Sequence, residues 1–330
     1  MTSFSLATFL ALLCLHPISG FFVPIRPQYD EELARKLLNL AAGAYGSSPQ
    51  GCINRTFTPN QGYREYNAAN LICDYLDDSC AFYAVVSDVE RNVVVAFRGT
   101  NTNSQLLVEG FEADEQIGFF GIGTVNAYFG HALEKMWPNV VSVLVDPSLQ
   151  GYTVSFTGHS LGAALASIAS VRCVLEGHRA PAQIKLVTFG QPRTGNIVFA
   201  THHDILVPYS FRLVHRHDIV PHLAACKKVL GVRNANGSRP CDPTDLRKPY
   251  HHGVEVWYPE GMGPGARYLV CLGLPKNEDF ACSDSLVFNV EDYASYVDDH
   301  RHYFDYKVPP YGELGCSPNR TLEEQMDNGL

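Results

Sequence analysis

The chain alternates between two hydrophobic periods. Residues 30–45, DEELARKLLNLAAGAY, repeat Leu and Ala at helical spacing and carry acidic residues in the first turn, where the helix dipole favours them. A helix packed on the core is expected there. Residues 46–78 are rich in Gly, Asn, Pro and Cys, and read as an irregular segment pinned by disulfides. Ala81–Ser87 and Asn92–Phe97 are β-rich runs around the polar turn Asp88-Val89-Glu90-Arg91, which predicts a hairpin. Val125 to Leu144 reads as one helix, bent or interrupted at Pro138. Further short apolar runs follow at Ile184–Phe189, Phe211–His215, Val254–Tyr258 and Tyr268–Leu272. The Pro/Gly/Asn-rich excursion from Cys226 to Pro249 separates the second from the third. Strands alternating with helices predict an α/β fold, with a mostly parallel central sheet and helices on both faces. No internal repeat or domain linker is visible.

One stretch organises the rest. In residues 152–176, YTVSFTGHSLGAALASIASVRCVLE, a β-type run ends in Gly158-His159-Ser160-Leu161-Gly162, and a helical pattern follows from Leu161 to Leu175. Strand, tight turn and helix around G-x-S-x-G is the nucleophile elbow of α/β hydrolases. Glycines leave room where a side chain would strike the neighbouring strand or helix. The helix begins directly after Ser160, so its free N–H groups and positive dipole end face any oxyanion formed there. The backbone N–H of Leu161 is the expected oxyanion donor of the elbow.

Composition adds an address. Of the 330 residues, 46% are hydrophobic and 18% charged, and the formal charge is −9. That balance speaks against a nucleic-acid partner. The apolar run FSLATFLALLCL at residues 4–15 precedes small residues near Ser19 and Gly20, and reads as a signal peptide over 1–20. It is too short for a transmembrane span, and no other uncharged run is long enough. Residues 21–316 would then form one domain and 317–330 a polar tail. Removing Cys14 leaves nine cysteines. Cys173, in the elbow helix, reads as a buried free thiol. Cys52, Cys73, Cys80, Cys226, Cys241, Cys271, Cys282 and Cys316 sit near turns and suit four disulfides, in any of 105 connectivities. Asn-x-Ser/Thr sequons at Asn54, Asn236 and Asn319 fit a glycosylated secreted protein.

A serine at neutral pH needs a base, and the base needs a group that fixes its tautomer. In α/β hydrolases these follow in the order Ser, acid, His, which Asp218 and His300 satisfy. At this point the chain resembles the class 3 lipases, the filamentous-fungal triacylglycerol lipase type, over roughly residues 30–316. The resemblance rests on VVVAFRGT (93–100), FTGHSLGAALAS (156–167), LVTFGQPRTGN (186–196), RLVHRHDIVPHL (212–223) and DHRHYF (299–304). It implies an α/β-hydrolase fold stabilised by disulfides. It assigns Ser160 as nucleophile, Asp218 as acid and His300 as base, the last because Tyr303-Phe304 stand three residues further on. His302, His215, His217 and His222 take packing or surface roles under the same resemblance. Thr100 becomes the second oxyanion donor, beside Leu161.

The resemblance also suggests the pairs Cys52–Cys316, Cys73–Cys80, Cys226–Cys241 and Cys271–Cys282. The Gly-rich connector NTNSQLLVEGFEADEQIGFFGIG suits a lid or groove wall, with Leu106, Leu107, Val108 and Phe111 as its apolar face. The implied activity is that of a secreted, extracellular serine hydrolase cleaving acyl esters of lipids at a lipid–water interface, with no metal or organic cofactor. Phospholipase A1 and feruloyl-type esterase activities share the scaffold. A non-catalytic lipid-binding protein is the alternative of a different class. Oligomeric state is not legible.

Overall fold

The computed structural model describes residues 27–73, 79–100 and 115–317. The expected signal peptide, the lid residues Leu106, Leu107, Val108 and Phe111, Asn319 and nearly all of the polar tail lie outside the described residues. The strands among the described residues are, in chain order, β1 (Arg64–Ile72), β2 (Ser79–Ser87), β3 (Asn92–Phe97), β4 (Gln116–Gly118), β5 (Thr124–Asn126), β6 (Thr153–His159), β7 (Ile184–Phe189), β8 (Gly195–Asn196), β9 (Tyr209–His215), β10 (Pro249–Tyr250), β11 (Val254–Tyr258), β12 (Leu269–Cys271), β13 (His302–Tyr303) and β14 (Tyr306–Lys307). Eight of them form the central sheet in the order β1-β2-β3-β6-β7-β9-β11-β12. The five strands from β3 to β11 run parallel, and antiparallel pairs close both edges. The small sheet β10-β8-β5-β4 stands apart.

The parallel strands are apolar on both sides because both faces are covered. Along β3, Val93, Val95 and Phe97 join one core, with the helices Ala127–Leu144 and Leu161–Leu175. Val94 and Ala96 join the other, with the helix Glu31–Gly43. That helix is capped as its sequence implies: the Asp30 carboxylate accepts the Leu33 N–H at 3.0 Å. The helix Ala127–Leu144 runs through Pro138 without interruption.

The segment 46–78 departs from expectation. It contains the helix Gln50–Thr56 and the nine-residue strand β1. As an edge strand, β1 packs only partly and alternates exposed with half-buried positions. Its composition, REYNAANLI, therefore has little of the β-branched signal that marks a buried strand. The end of the connector and the residues just beyond it, 116–126, form the β4–β5 hairpin, so the helix expected from Val125 begins at Ala127. Phe119 is buried there against Phe199, and Phe120 is exposed.

The eight expected cysteines come together as Cys52–Cys316, Cys73–Cys80, Cys226–Cys241 and Cys271–Cys282. Cys173 is a buried free thiol. No helix among the described residues is long and apolar enough to cross a membrane.

Candidate active site

The carboxyl ends of β6, β7 and β9 meet at one place. Ser160 follows β6 and holds φ +60° and ψ −128°, a conformation costly for a side chain-bearing residue. Two close approaches over-determine it. A Cβ on Gly158 would meet the Gly162 carbonyl oxygen at 2.3 Å, and one on Gly162 would meet the Phe97 carbonyl oxygen at 2.2 Å. The Ser160 N–H donates to the Phe189 carbonyl oxygen, at the end of the neighbouring strand β7, at 2.9 Å. Ser160 itself is 1% exposed.

Asp218 stands in the loop after β9, and His300 in the helix Tyr293–Arg301. Their side chains meet: His300 Nδ1 lies 3.0 and 2.9 Å from the two Asp218 carboxylate oxygens. A carboxylate only accepts, so Nδ1 carries the proton and Nε2 has its lone pair free. Asp218 also accepts the Tyr303 hydroxyl at 2.6 Å and the Val220 N–H at 2.9 Å. These donors fix the carboxylate's orientation. Burial and the adjacent Asp218 charge raise the Tyr303 pKa well above its ordinary value, so the phenol stays a donor. Two buried polar atoms here have no hydrogen-bond partner, Ser160 Oγ and His300 Nε2. A lone-pair nitrogen and a hydroxyl left free in one site have the chemistry that a base and a nucleophile require.

The strand β3 pairs with β6 so that Phe97 lies opposite Gly158. The chain that continues from Phe97 through Arg98 and Gly99 to Thr100 therefore runs beside Ser160, and a Cβ on Gly99 would come within 3.2 Å of Ser160 Cβ. Arg98 anchors that passage by donating to the Ser79 carbonyl at 2.5 Å. Leu161 N–H occupies the first helical position, where the helix provides no acceptor.

The other histidines go elsewhere. His302 Nδ1 lies 2.8 Å from the Asp298 carbonyl oxygen. His215 Nδ1 lies 3.0 Å from the Asp299 carbonyl oxygen, His217 stacks on Tyr296, and His222 packs on Phe288. Asn54 and Asn236 are exposed. Two sets of ligating groups come within reach of one another, Cys226 with Cys241 and Asp284, and Glu255 with Cys271 and Cys282. In both sets the sulfurs are spent in disulfides, so neither presents thiolates to a metal. A cavity of about 670 Å³ lined by Tyr29, Phe211, Tyr268 and Val270 opens where β9 and β11 begin, away from Ser160 and His300, and contains none of these reactive groups.

Several residues at the site carry more than the sequence reveals. Tyr303 locates His300 by its place in the chain, but its bond to Asp218 leaves no sequence signal. Gly190, in the Gly-Gln-Pro-Arg turn after β7, lies so close that a Cβ would sit 2.7 Å from His300 Nδ1 and 2.8 Å from an Asp218 oxygen. Arg193 of the same turn forms a buried two-point pair with Glu278 at 2.7 and 2.8 Å, and donates to the His222 carbonyl at 2.6 Å. It thereby ties the loop after Asp218 to the Cys271–Cys282 clip.

Central sheet, elbow and facing loops together define an α/β hydrolase. The family profile described as Lipase (class 3) matches residues 94–228. The Caenorhabditis elegans protein named Lipase ZK262.3 is 46% identical over 318 residues, covering 95% of this chain and 90% of its own. The secreted mono- and diacylglycerol lipase 1 of Fusarium solani is 28% identical over 171 residues, 51% of this chain and 49% of that one. Among solved structures, lipase II from Rhizopus niveus superposes with a TM-score of 0.61 at 24% identity, over 83% of this chain and 94% of the other. The chain belongs to the class 3 lipase family and is a lipase-type carboxylic ester hydrolase.

Proposed function

We propose that this chain hydrolyses acyl esters of lipids through a Ser160–His300–Asp218 triad and an acyl-enzyme. The observation that carries the reading is the two-point contact of His300 Nδ1 with Asp218 beside the strained, positive-φ Ser160. His300 Nε2 takes the Ser160 proton as Oγ attacks the ester carbonyl. The N–H of Leu161 and the N–H and hydroxyl of Thr100 receive the oxyanion. His300 then returns the proton to the departing alcohol. Water, activated by the same nitrogen, releases the fatty acid. Asp218 holds the ring and stabilises its charged form.

Neutral glycerides are the favoured substrates, since the Fusarium relative is named for mono- and diacylglycerols. The protein is exported to the extracellular space, a reading supported by the apolar run at 4–15, four disulfides and the exposed sequons Asn54 and Asn236. Residues 21–316 act as a single catalytic domain.

The test is hydrolysis by the mature protein and its Ser160→Ala variant. Glycerides of graded chain length, a phospholipid and a feruloyl ester serve as substrates, below and above the solubility limit. Serine-dependent turnover of glycerides is expected. Turnover confined to phospholipid or to the aryl ester would reassign the substrate, and equal rates for the two folded proteins would refute the triad.

A further inference from the structure

The residue before the nucleophile is not idle. The His159 ring lies buried between three groups. It stacks on the His300 ring at 4.6 Å between centroids with 25° between planes. Its Nε2 is 2.8 Å from the His300 carbonyl oxygen, and its Nδ1 is 2.9 Å from the Tyr45 hydroxyl. The direction of these bonds is forced. A carbonyl oxygen can only accept, so Nε2 carries the hydrogen. In a neutral ring Nδ1 is then the acceptor and Tyr45 the donor. Burial, with His300 adding to it, pushes the His159 pKa down to about 3, so the ring is neutral. Tyr45 Oη in turn faces the Gly99 backbone N–H. The approach is so close that a Cβ on Gly99 would fall 2.1 Å from that oxygen.

We propose that Tyr45 and His159 are positioning residues for the base: the phenol donates to His159 Nδ1 and holds the ring in place, and His159 Nε2–H thereby locks the His300 backbone to the elbow that carries Ser160. The inference rests on the triad reading. Ser160 and His300 belong to segments 140 residues apart in the chain, and the residue adjacent to one of them bonds the backbone of the other. Without the Tyr45 hydroxyl the buried His159 Nδ1 lone pair has no donor. The ring then loses one of its two anchors and can turn away from the His300 carbonyl oxygen. The stacked geometry also requires His159 to be uncharged when His300 gains its proton during turnover, since two cations in this contact would oppose the charge that the triad must stabilise.

The test compares wild type, Ser160→Ala, Tyr45→Phe, His159→Leu and His159→Gln on a soluble short-chain ester, with rates normalised to sites titrated by a fluorophosphonate, and for Ser160→Ala to folded protein concentration. Tyr45→Phe removes one oxygen and keeps the ring, so it is expected to fold. Its kcat should fall about tenfold with KM unchanged, and its rate of phosphonylation should fall in the same ratio, as a modest misplacement of the base would produce. His159→Leu should lose more, and His159→Gln, which retains an N–H donor, should recover part of that loss. Tyr45→Phe turnover within twofold of wild type would overturn the proposal. So would a Tyr45→Phe variant that unfolds or changes KM alone, because the role would then be structural or in substrate binding. Absence of any difference between wild type and Ser160→Ala would instead sink the triad reading, a result distinguishable from either.

Discussion

Gly190→Ala probes the site without replacing any of the reacting groups. Gly190 holds φ +59°, and a Cβ there would lie 2.7 Å from His300 Cε1, 2.7 Å from Nδ1 and 2.8 Å from Asp218 Oδ2. Ordinary contact begins at 3.4 Å, so the imidazole must retreat by about 0.7 Å (3.4 less 2.7) or the turn must open by as much. A misplacement of about 1 Å costs on the order of 100-fold, so kcat/KM should fall roughly 10- to 100-fold, equivalent to about 1.4 to 2.7 kcal/mol of transition-state stabilisation. The left-handed conformation adds about 1–2 kcal/mol of lost stability for any residue with a Cβ. Gly177→Ala separates these effects. Gly177 holds φ +75°, with nothing within 4 Å of the position a Cβ would take, beyond the far end of the helix that Ser160 begins. It should lose similar stability by calorimetry and keep full activity. Initial rates per titrated site, measured for both variants beside wild type, decide the matter. Gly190→Ala activity within threefold of Gly177→Ala would mean that His300 and Asp218 do not act from the positions described.

Three further outcomes are expected. Thr100→Ala removes the side-chain hydroxyl and keeps the backbone N–H, and should slow turnover by about 100- to 1,000-fold while leaving the melting temperature unchanged; full activity would remove the Thr100 hydroxyl from the oxyanion site. Glu278→Gln removes the two-point partner of the buried Arg193 guanidinium and leaves it only the more distant Asp284 carboxylate at 3.6 Å, so urea unfolding should show a loss of about 3 kcal/mol. A loss below about 1 kcal/mol would show the pair to be dispensable. Stability should fall as pH drops from about 6.5 towards 4, because buried His203, pushed down to about 4 by burial, and the similarly depressed His222, His251 and His252 bind protons only on unfolding. Asp284, raised to about 6 by burial, and the raised Glu255 act in the opposite sense, so a flat urea midpoint over that interval would show that the carboxyls cancel the histidines.

The parts of this molecule that are legible in its sequence are those whose cause is local. Strand, turn and helix around Ser160 are written in consecutive residues, because a strand covered on both faces must be apolar throughout and a helix start this tight must have glycine at 158 and 162. Strand β1 is not legible. Edge position relieves it of burial on both faces, and its long pairing with β2 supplies the backbone hydrogen bonds that its side chains do not advertise. The His300–Asp218 contact is reached only through chain order and family resemblance, since residues 82 positions apart leave no periodic trace. The same limit hides Tyr45. It ends a helical pattern that reads as ordinary core, and nothing near it in the chain names His159 as its partner 114 positions away. Buried polar pairs of this kind are where long-range specificity resides: each member is costly alone and tolerable only with its partner in place. The proposed triad takes its nucleophile from a turn, its acid from a loop and its base from a helix and needs such ties, and the Arg193–Glu278 and Tyr45–His159–His300 contacts fasten that loop and that helix to the sheet that the hydrophobic pattern builds.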